Sequence, residues 1–184
     1  MPVLISMVIV ITKPQFFEGE AKRVNWLLTS GAANLVHIRK PDANQHEVEQ
    51  LLVAIPSALH SRLVLHDHHE LAIKYGLRGV HLNRRHPEPP AGWSGAVSIS
   101  CHSLAELAEC RKQPYAYMSL SPIFDSISKQ GYRSAFTAEQ IAEARRQGLI
   151  DQRVMALGGV TFDKVNEVLE MGFGGAMILG DAWK

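Results

Sequence analysis

The chain has 184 residues, 46% of them hydrophobic and 20% charged, with a net charge of +1. That balance suits one globular domain spanning residues 1–184 and excludes a disordered chain. It also excludes attraction to nucleic acid or a membrane surface through the overall field, so an anionic ligand must be held by a local site. Two cysteines, Cys101 and Cys110, make no disulfide framework, and reduced thiols in the cytoplasm are the simpler reading. The longest apolar run, Val3 to Ile11, has only Met1-Pro2 before it and is far short of the ~20 residues of a membrane helix. Neither a membrane span nor a signal peptide is read there.

Val3 to Ile11 is instead the first of eight short apolar runs rich in Val, Ile and Leu, the composition of strands covered on both faces. A helical stripe, Val24, Leu27 and Leu28, leads to the second run, Leu35 to Ile38. Asn44 with Glu47 has capping-box spacing and opens a helix with Val48, Leu51, Leu52 and Ile55 on one face. Leu63 to Leu65 and Val80 to Leu82 follow. Asn83 to Gly95, rich in Pro and charge, shows no helical pattern before the fifth run, Val97 to Ile99. Ser103 with Glu106 and Thr137 with Gln140 mark further helix starts around the sixth run, Tyr117 to Leu120. After Val154 to Leu157, Thr161 stands as N-cap of a helix carrying Phe162, Val165, Val168 and Leu169, and Ala176 to Leu179 closes the series.

Strands alternating with helices imply parallel neighbours joined by right-handed crossovers. Eight of them predict a closed (β/α)8 TIM barrel, short, lacking the helix after strand four and truncated at its C-terminus. An open α/β sheet is the structural alternative. In such a barrel the chemistry sits at the carboxyl ends of the strands. Those ends collect His37 and Arg39, His66 and Asp67, His81, Ser100 and His102, the loop with Ser126, Ser128 and Lys129, Gly158-Gly159 and Gly180-Asp181. Pro122 should end strand six, and hydroxyls with an ammonium in the following loop suit a phosphate. Gly158-Gly159 lets backbone N–H groups approach an anion at a helix start. His68 and His69 read as solvated residues of a helix start. The His66-Asp67-His68-His69 run contains metal-binding residue types but lacks established ligand spacing. Cys101 and His102, as strand neighbours, face opposite ways, which argues against a nucleophile pair.

The order of these motifs resembles the thiamine phosphate synthase family and the related thiazole tautomerases over nearly the whole chain. The residues that carry the resemblance are His37-Ile38-Arg39-Lys40-Pro41, His66-Asp67, Gly79 to Leu82, Ser100-Cys101-His102-Ser103, Ser121 to Lys129, and Gly158-Gly159-Val160. The resemblance implies an enzyme joining a pyrimidine diphosphate to a thiazole phosphate with magnesium on the diphosphate. Arg39, Lys129 and Ser100 would hold the diphosphate and Asp67 the Mg2+. His37, His66, His102, Ser126, Ser128, Gly158, Gly159 and Gly180 would contact the small phosphorylated substrates. Dimerisation is left open.

The departures are equally specific. The family's strand-two Gln and Lys are His37 and Pro41, with Lys40 adjacent as a partial substitute. The Asn before the metal carboxylate is His66, and Asn83-Arg84-Arg85-His86 lacks the second acid expected after strand four. Arg84 and Arg85 can offer phosphate a guanidinium in place of metal charge. Pro122 occupies the position of the tautomerases' catalytic His, leaving His37, His66, His81 and His102 as candidate proton shuttles. Synthase, tautomerase and a non-catalytic phosphate-binding barrel are the three readings.

Overall fold

Runs of Val, Ile and Leu that alternate with amphipathic helices bury both faces only when the strands line one sheet and the helices cover it. The computed structural model, which describes residues 6–125 and 134–184, has this arrangement. Its strands are β1 (Met7–Ile11), β2 (Leu35–Ile38), β3 (Leu63–Leu65), β4 (Gly79–Leu82), β5 (Ala96–Cys101), β6 (Tyr117–Leu120), β7 (Val154–Ala156) and β8 (Gly175–Ile178). They follow one another in chain order in a closed barrel. The pairings of β2 with β3, β3 with β4, β6 with β7 and β7 with β8 are parallel. The helices are α1 (Glu20–Thr29), α2 (Gln45–Ala54), α3 (Glu70–Tyr75), α4 (Leu104–Cys110), α5 (Ala138–Arg146) and α6 (Val165–Glu170). As expected, no helix lies between β4 and β5. No helix among the described residues is long and apolar enough to cross a membrane.

By its internal contacts the chain divides into two compact units, Val10–Ser98 and Met1–Ile9 with Ile99–Lys184. In the first, every residue of β2, β3 and β4 is buried. Helix α2 starts at the expected capping box: Glu47 N–H donates to Asn44 Oδ1 at 3.0 Å and Asn44 N–H to Glu47 Oε2 at 2.8 Å. Two of the orphan N–H groups at the helix start are thereby satisfied. The helix then buries Val48, Leu51 and Leu52 while Val53 faces solvent. In the second unit Thr137 and Gln140 form the same reciprocal pair at the start of α5. Ser103 caps α4 by accepting from Glu106 N–H, but the Glu106 carboxylate accepts from His102 N–H at 2.6 Å rather than closing the box.

The last helix start departs from expectation. Thr161 does not cap it: its buried Oγ1 has no hydrogen-bond partner. Phe162 N–H donates instead to Asp181 Oδ2 at 3.0 Å. That hydrogen bond, with Lys184 beside the other oxygen, holds the Asp181 carboxyl below the usual carboxylate range. A carboxylate at a helix start is favoured whichever segment supplies it. Here the supplier is a short 3-10 turn, Gly180–Trp183, after β8.

Candidate active site

Three histidines from neighbouring strands meet inside the Val10–Ser98 unit. The register pairs His37 with Val64 and Leu65 with Val80. Because side chains alternate along a strand, His66 then points the same way as Val64 and His37, and His81 stands level with it. His37 Nδ1 lies 2.8 Å from His66 Nε2, and the His66 and His81 rings stack at 4.3 Å. Ser98 of β5 fixes His81 through an Oγ···Nδ1 contact of 2.8 Å. All three rings are buried. Burial disfavours an imidazolium, so His37 and His66 are held well below the ordinary value of 6.5, with neighbouring imidazoles adding to the effect. His81 is pushed down to about 3 by the same desolvation. At neutral pH the cluster is uncharged. It can hydrogen-bond a heterocycle, but such weak bases are poorly matched to proton abstraction.

Two residues beyond the end of β3, Asp67 anchors a charged cluster. Its Oδ1 accepts from Arg85 Nη2 at 2.8 Å and lies 3.3 Å from His86 Nε2, and its Oδ2 accepts from Lys40 N–H at 3.3 Å. The loop after β4 is folded to make this possible. Asn83 and His86 exchange backbone hydrogen bonds, while Asn83 Oδ1 accepts from the Arg85 and His86 N–H groups. This is an Asx-type turn built by Asn83. Arg39 belongs to the same electrostatic neighbourhood: burial and then Arg85 lower its pKa, while Asp67 and Asp42 oppose the shift. Arg39 and Arg85 bring two guanidinium groups to this strand end, facing Asp67 with Asp42 near Arg39, and guanidinium groups are suited to an anion. The arrangement does not suit a magnesium ion. The loop 83–86 brings guanidinium and imidazole to the carboxylate where a second oxygen ligand would be needed.

Two expectations need correction in this unit. Lys40 is no stand-in for a missing anion-binding Lys. Its ammonium is buried and donates to Lys13 O at 2.8 Å, Gln15 O at 2.9 Å and Glu20 Oε1 at 2.6 Å, with the Phe16 ring 4.5 Å away. It pins the loop after β1 onto the start of α1. Nor is His69 solvated: it is buried, with Nε2 3.1 Å from His66 O. His68, at φ 52°, is half-buried with Nε2 2.8 Å from Ala43 O.

In the second unit, exposed His102 lies with Nδ1 3.2 Å from Ser121 Oγ, and Ser100 is half-buried on β5. Cys101 is buried and its thiol pKa is raised, so it makes no pair with His102. Strand β6 ends before Pro122 as expected. The chain then packs directly on Gly158 and Gly159: Ile123 N–H donates to Leu157 O at 2.9 Å and Phe124 N–H to Gly158 O at 3.0 Å. A Cβ at Gly158 would meet Pro122 Cα at 2.7 Å, and one at Gly159 would meet Asp125 O at 2.3 Å. Both glycines have positive φ. The pair therefore admits the strand-six loop, a role that its sequence reading as an anion cradle did not include. Gly180 begins the 3-10 turn that delivers Asp181 to Phe162. Ser126, Ser128 and Lys129 lie outside the described residues.

Residues 8–180 match the family model described as thiamine monophosphate synthase. The chain belongs to that family. It is 30% identical over 165 residues to the thiamine-phosphate synthase of Yersinia pestis (strain Pestoides F), covering 83% of this chain and 74% of the relative. The thiamine-phosphate synthase of Serratia proteamaculans is 29% identical over 171 residues, covering 85% and 78%. Among solved structures, the thiamine phosphate pyrophosphorylase of Bacteroides thetaiotaomicron has a TM-score of 0.85 at 41% identity, covering 96% of this chain and 84% of that one. The family frame gives the departures their meaning. Arg85 was read from the sequence, with Arg84, as a guanidinium for phosphate in place of metal charge, whereas Asn83 and His86 were given no role, although an Asn at a strand exit commonly builds an Asx turn. His81 was read as a strand-end residue and a candidate proton shuttle, but its meeting with His37 and His66 depends on strand register and was not foreseen.

Proposed function

We propose that this chain is a cytoplasmic thiamine phosphate synthase-type transferase, with residues 1–184 as one catalytic domain. In the reaction, the thiazole nitrogen forms a bond to the exocyclic methylene carbon of a hydroxymethylpyrimidine diphosphate. The carbon–oxygen bond to the diphosphate breaks, and pyrophosphate leaves with the electron pair. The observation that carries this reading is the Arg39–Arg85 pair around Asp67, on a barrel of this family, where charge must be held as pyrophosphate departs. Arg39, Arg85, Ser100 and Lys129 are assigned to the diphosphate. His37 and His66, as neutral rings, hydrogen-bond the pyrimidine. Gly158 and Gly159, with Ser126 and Ser128, serve the thiazole phosphate, while His102 and Gly180 border the substrates. Asp67 orients Arg85 rather than a magnesium ion. A tautomerase role is disfavoured by Pro122 in place of the catalytic His and by the low basicity of the buried cluster.

The test is to incubate purified protein with the pyrimidine diphosphate and the thiazole phosphate and to quantify products by mass spectrometry. Thiamine phosphate and pyrophosphate are expected in equal amounts over many turnovers. Tight binding of thiazole phosphate without product at high enzyme concentration would leave only the binding role.

A further inference from the structure

The His37–His66–His81 cluster gathers three imidazoles within the Val10–Ser98 unit. Each residue offers one ligand atom, and these atoms lie within 4.8 Å of one another. The ring centroids of His37 are 5.0 Å from those of His66 and 5.1 Å from those of His81. The three rings come from β2, the end of β3 and β4, so the register of adjacent strands, not a flexible loop, sets their spacing. Ser98 holds His81 by its Nδ1, the kind of outer partner that fixes the orientation of a ligating imidazole.

We propose that these three histidines form a binding site for a divalent transition metal ion of the zinc or cobalt class. The donor set decides the class. Three imidazole nitrogens with no carboxylate among them suit zinc, cobalt, nickel or copper and do not suit magnesium or calcium, which take oxygen ligands. Three protein ligands also leave a coordination position open to water or to a substrate heteroatom. Metal–nitrogen bonds of about 2.0–2.1 Å put tetrahedral donors about 3.3–3.4 Å apart, so the 2.8 Å pair must open while the wider separations, within 4.8 Å, close. Ring rotations that part the His66–His81 stack, whose centroids are 4.3 Å apart, would exchange the 2.8 Å His37–His66 contact for two coordination bonds. The site is separate from the Asp67 cluster, whose carboxylate is engaged by Arg85 and His86. It does not rest on the transferase reading, and a bound ion would take ring nitrogens of His37 and His66 that the transferase reading turns to the pyrimidine. Because the rings are almost closed to water, the ion is expected to be captured as the chain folds.

The experiment uses full-length protein produced in medium supplemented with cobalt(II) and then gel-filtered. About one cobalt per chain is expected, with the visible absorption of a low-coordinate, nitrogen-ligated ion. His37→Gln combined with His66→Asn keeps neutral hydrogen-bonding side chains and should lower the content roughly tenfold or more. His46→Gln, on an exposed face of α2, should leave it unchanged. Equal content and spectra in wild type and the double variant would overturn the proposal. Should the double variant fail to fold, X-ray absorption on the wild type decides. Three imidazoles around cobalt uphold the site, and an oxygen-dominated shell or a metal-free protein removes it.

Discussion

At Lys40 a cation adjacent to a recognised motif turned inward, and the reason is local. Glu20 opens α1 from inside the core, and a buried carboxylate needs a buried cation. Burial pushes the two groups toward neutrality, raising Glu20 and lowering Lys40, while their mutual hydrogen bond opposes both shifts. Lys40→Met should therefore destabilise the protein by about 3–5 kcal/mol in urea unfolding, because Glu20 is left unpaired. Adding Glu20→Leu should recover most of that loss; no recovery would mean that the ammonium acts mainly by holding the carbonyls of Lys13 and Gln15. Arg85 makes the opposite case. Its side chain is 44% exposed and turned to Asp67, so its removal is expected to spare stability and weaken ligand binding. Arg85→Ala should reduce pyrophosphate affinity about tenfold or more by titration calorimetry, the magnitude of a lost charge-assisted hydrogen bond. Arg39 and Asp67 were singled out in the sequence as charges at strand ends, and the structure brings them into one electrostatic neighbourhood. The fate of Lys40 was not legible there, since it depends on Glu20, which is remote in the chain.

Among the elements, those with signals confined to one turn matched expectation best. Asn44–Glu47 and Thr137–Gln140 are i, i+3 pairs, and both closed as capping boxes. Asn44→Ala should cost about 1 kcal/mol of stability, measurable as a fall in the urea midpoint without a change in slope. Thr161 failed as a cap because its competitor, Asp181, arrives from the far side of β8. The glycine pair after β7 was read from the sequence as an anion cradle, and the structure gives it a packing role. Its first constraint is the 2.3 Å approach of Asp125 O to a Cβ at Gly159, compounded by φ 64°. Gly159→Ala is accordingly expected to destabilise by about 1–3 kcal/mol and to lower the melting temperature.

For the molecule as a whole, the count and order of strands were readable from eight apolar runs, because two-sided burial leaves a continuous hydrophobic signature. The helix-free stretch between β4 and β5 was readable too. Register was not, and the histidine cluster depends on it. It also predicts how metal-free protein responds to acid. His37, His66 and His81 resist protonation when folded, whereas in the unfolded chain they titrate near 6.5. Above that pH neither state binds the protons and stability is unaffected. As pH falls below 6.5 the unfolded state takes up protons that the folded state refuses. Stability should then fall by up to about 1.4 kcal/mol per pH unit for each such histidine, until its folded-state pKa is reached. Unfolding free energies measured between pH 7 and pH 4 should show this slope, and His66→Asn should flatten it. An unchanged slope would mean that His66 is not buried neutral.

Guanidinium groups at the Asp67 cluster are expected to hold the leaving diphosphate in a transferase of this family. The initial rate of thiamine phosphate formation, measured in wild type and Arg85→Ala with free magnesium present or removed by chelator, tests this most directly. Wild type is expected to turn over in both conditions, with Arg85→Ala slower by about tenfold or more. A wild-type rate abolished by the chelator, or no thiamine phosphate under either condition, would contradict it.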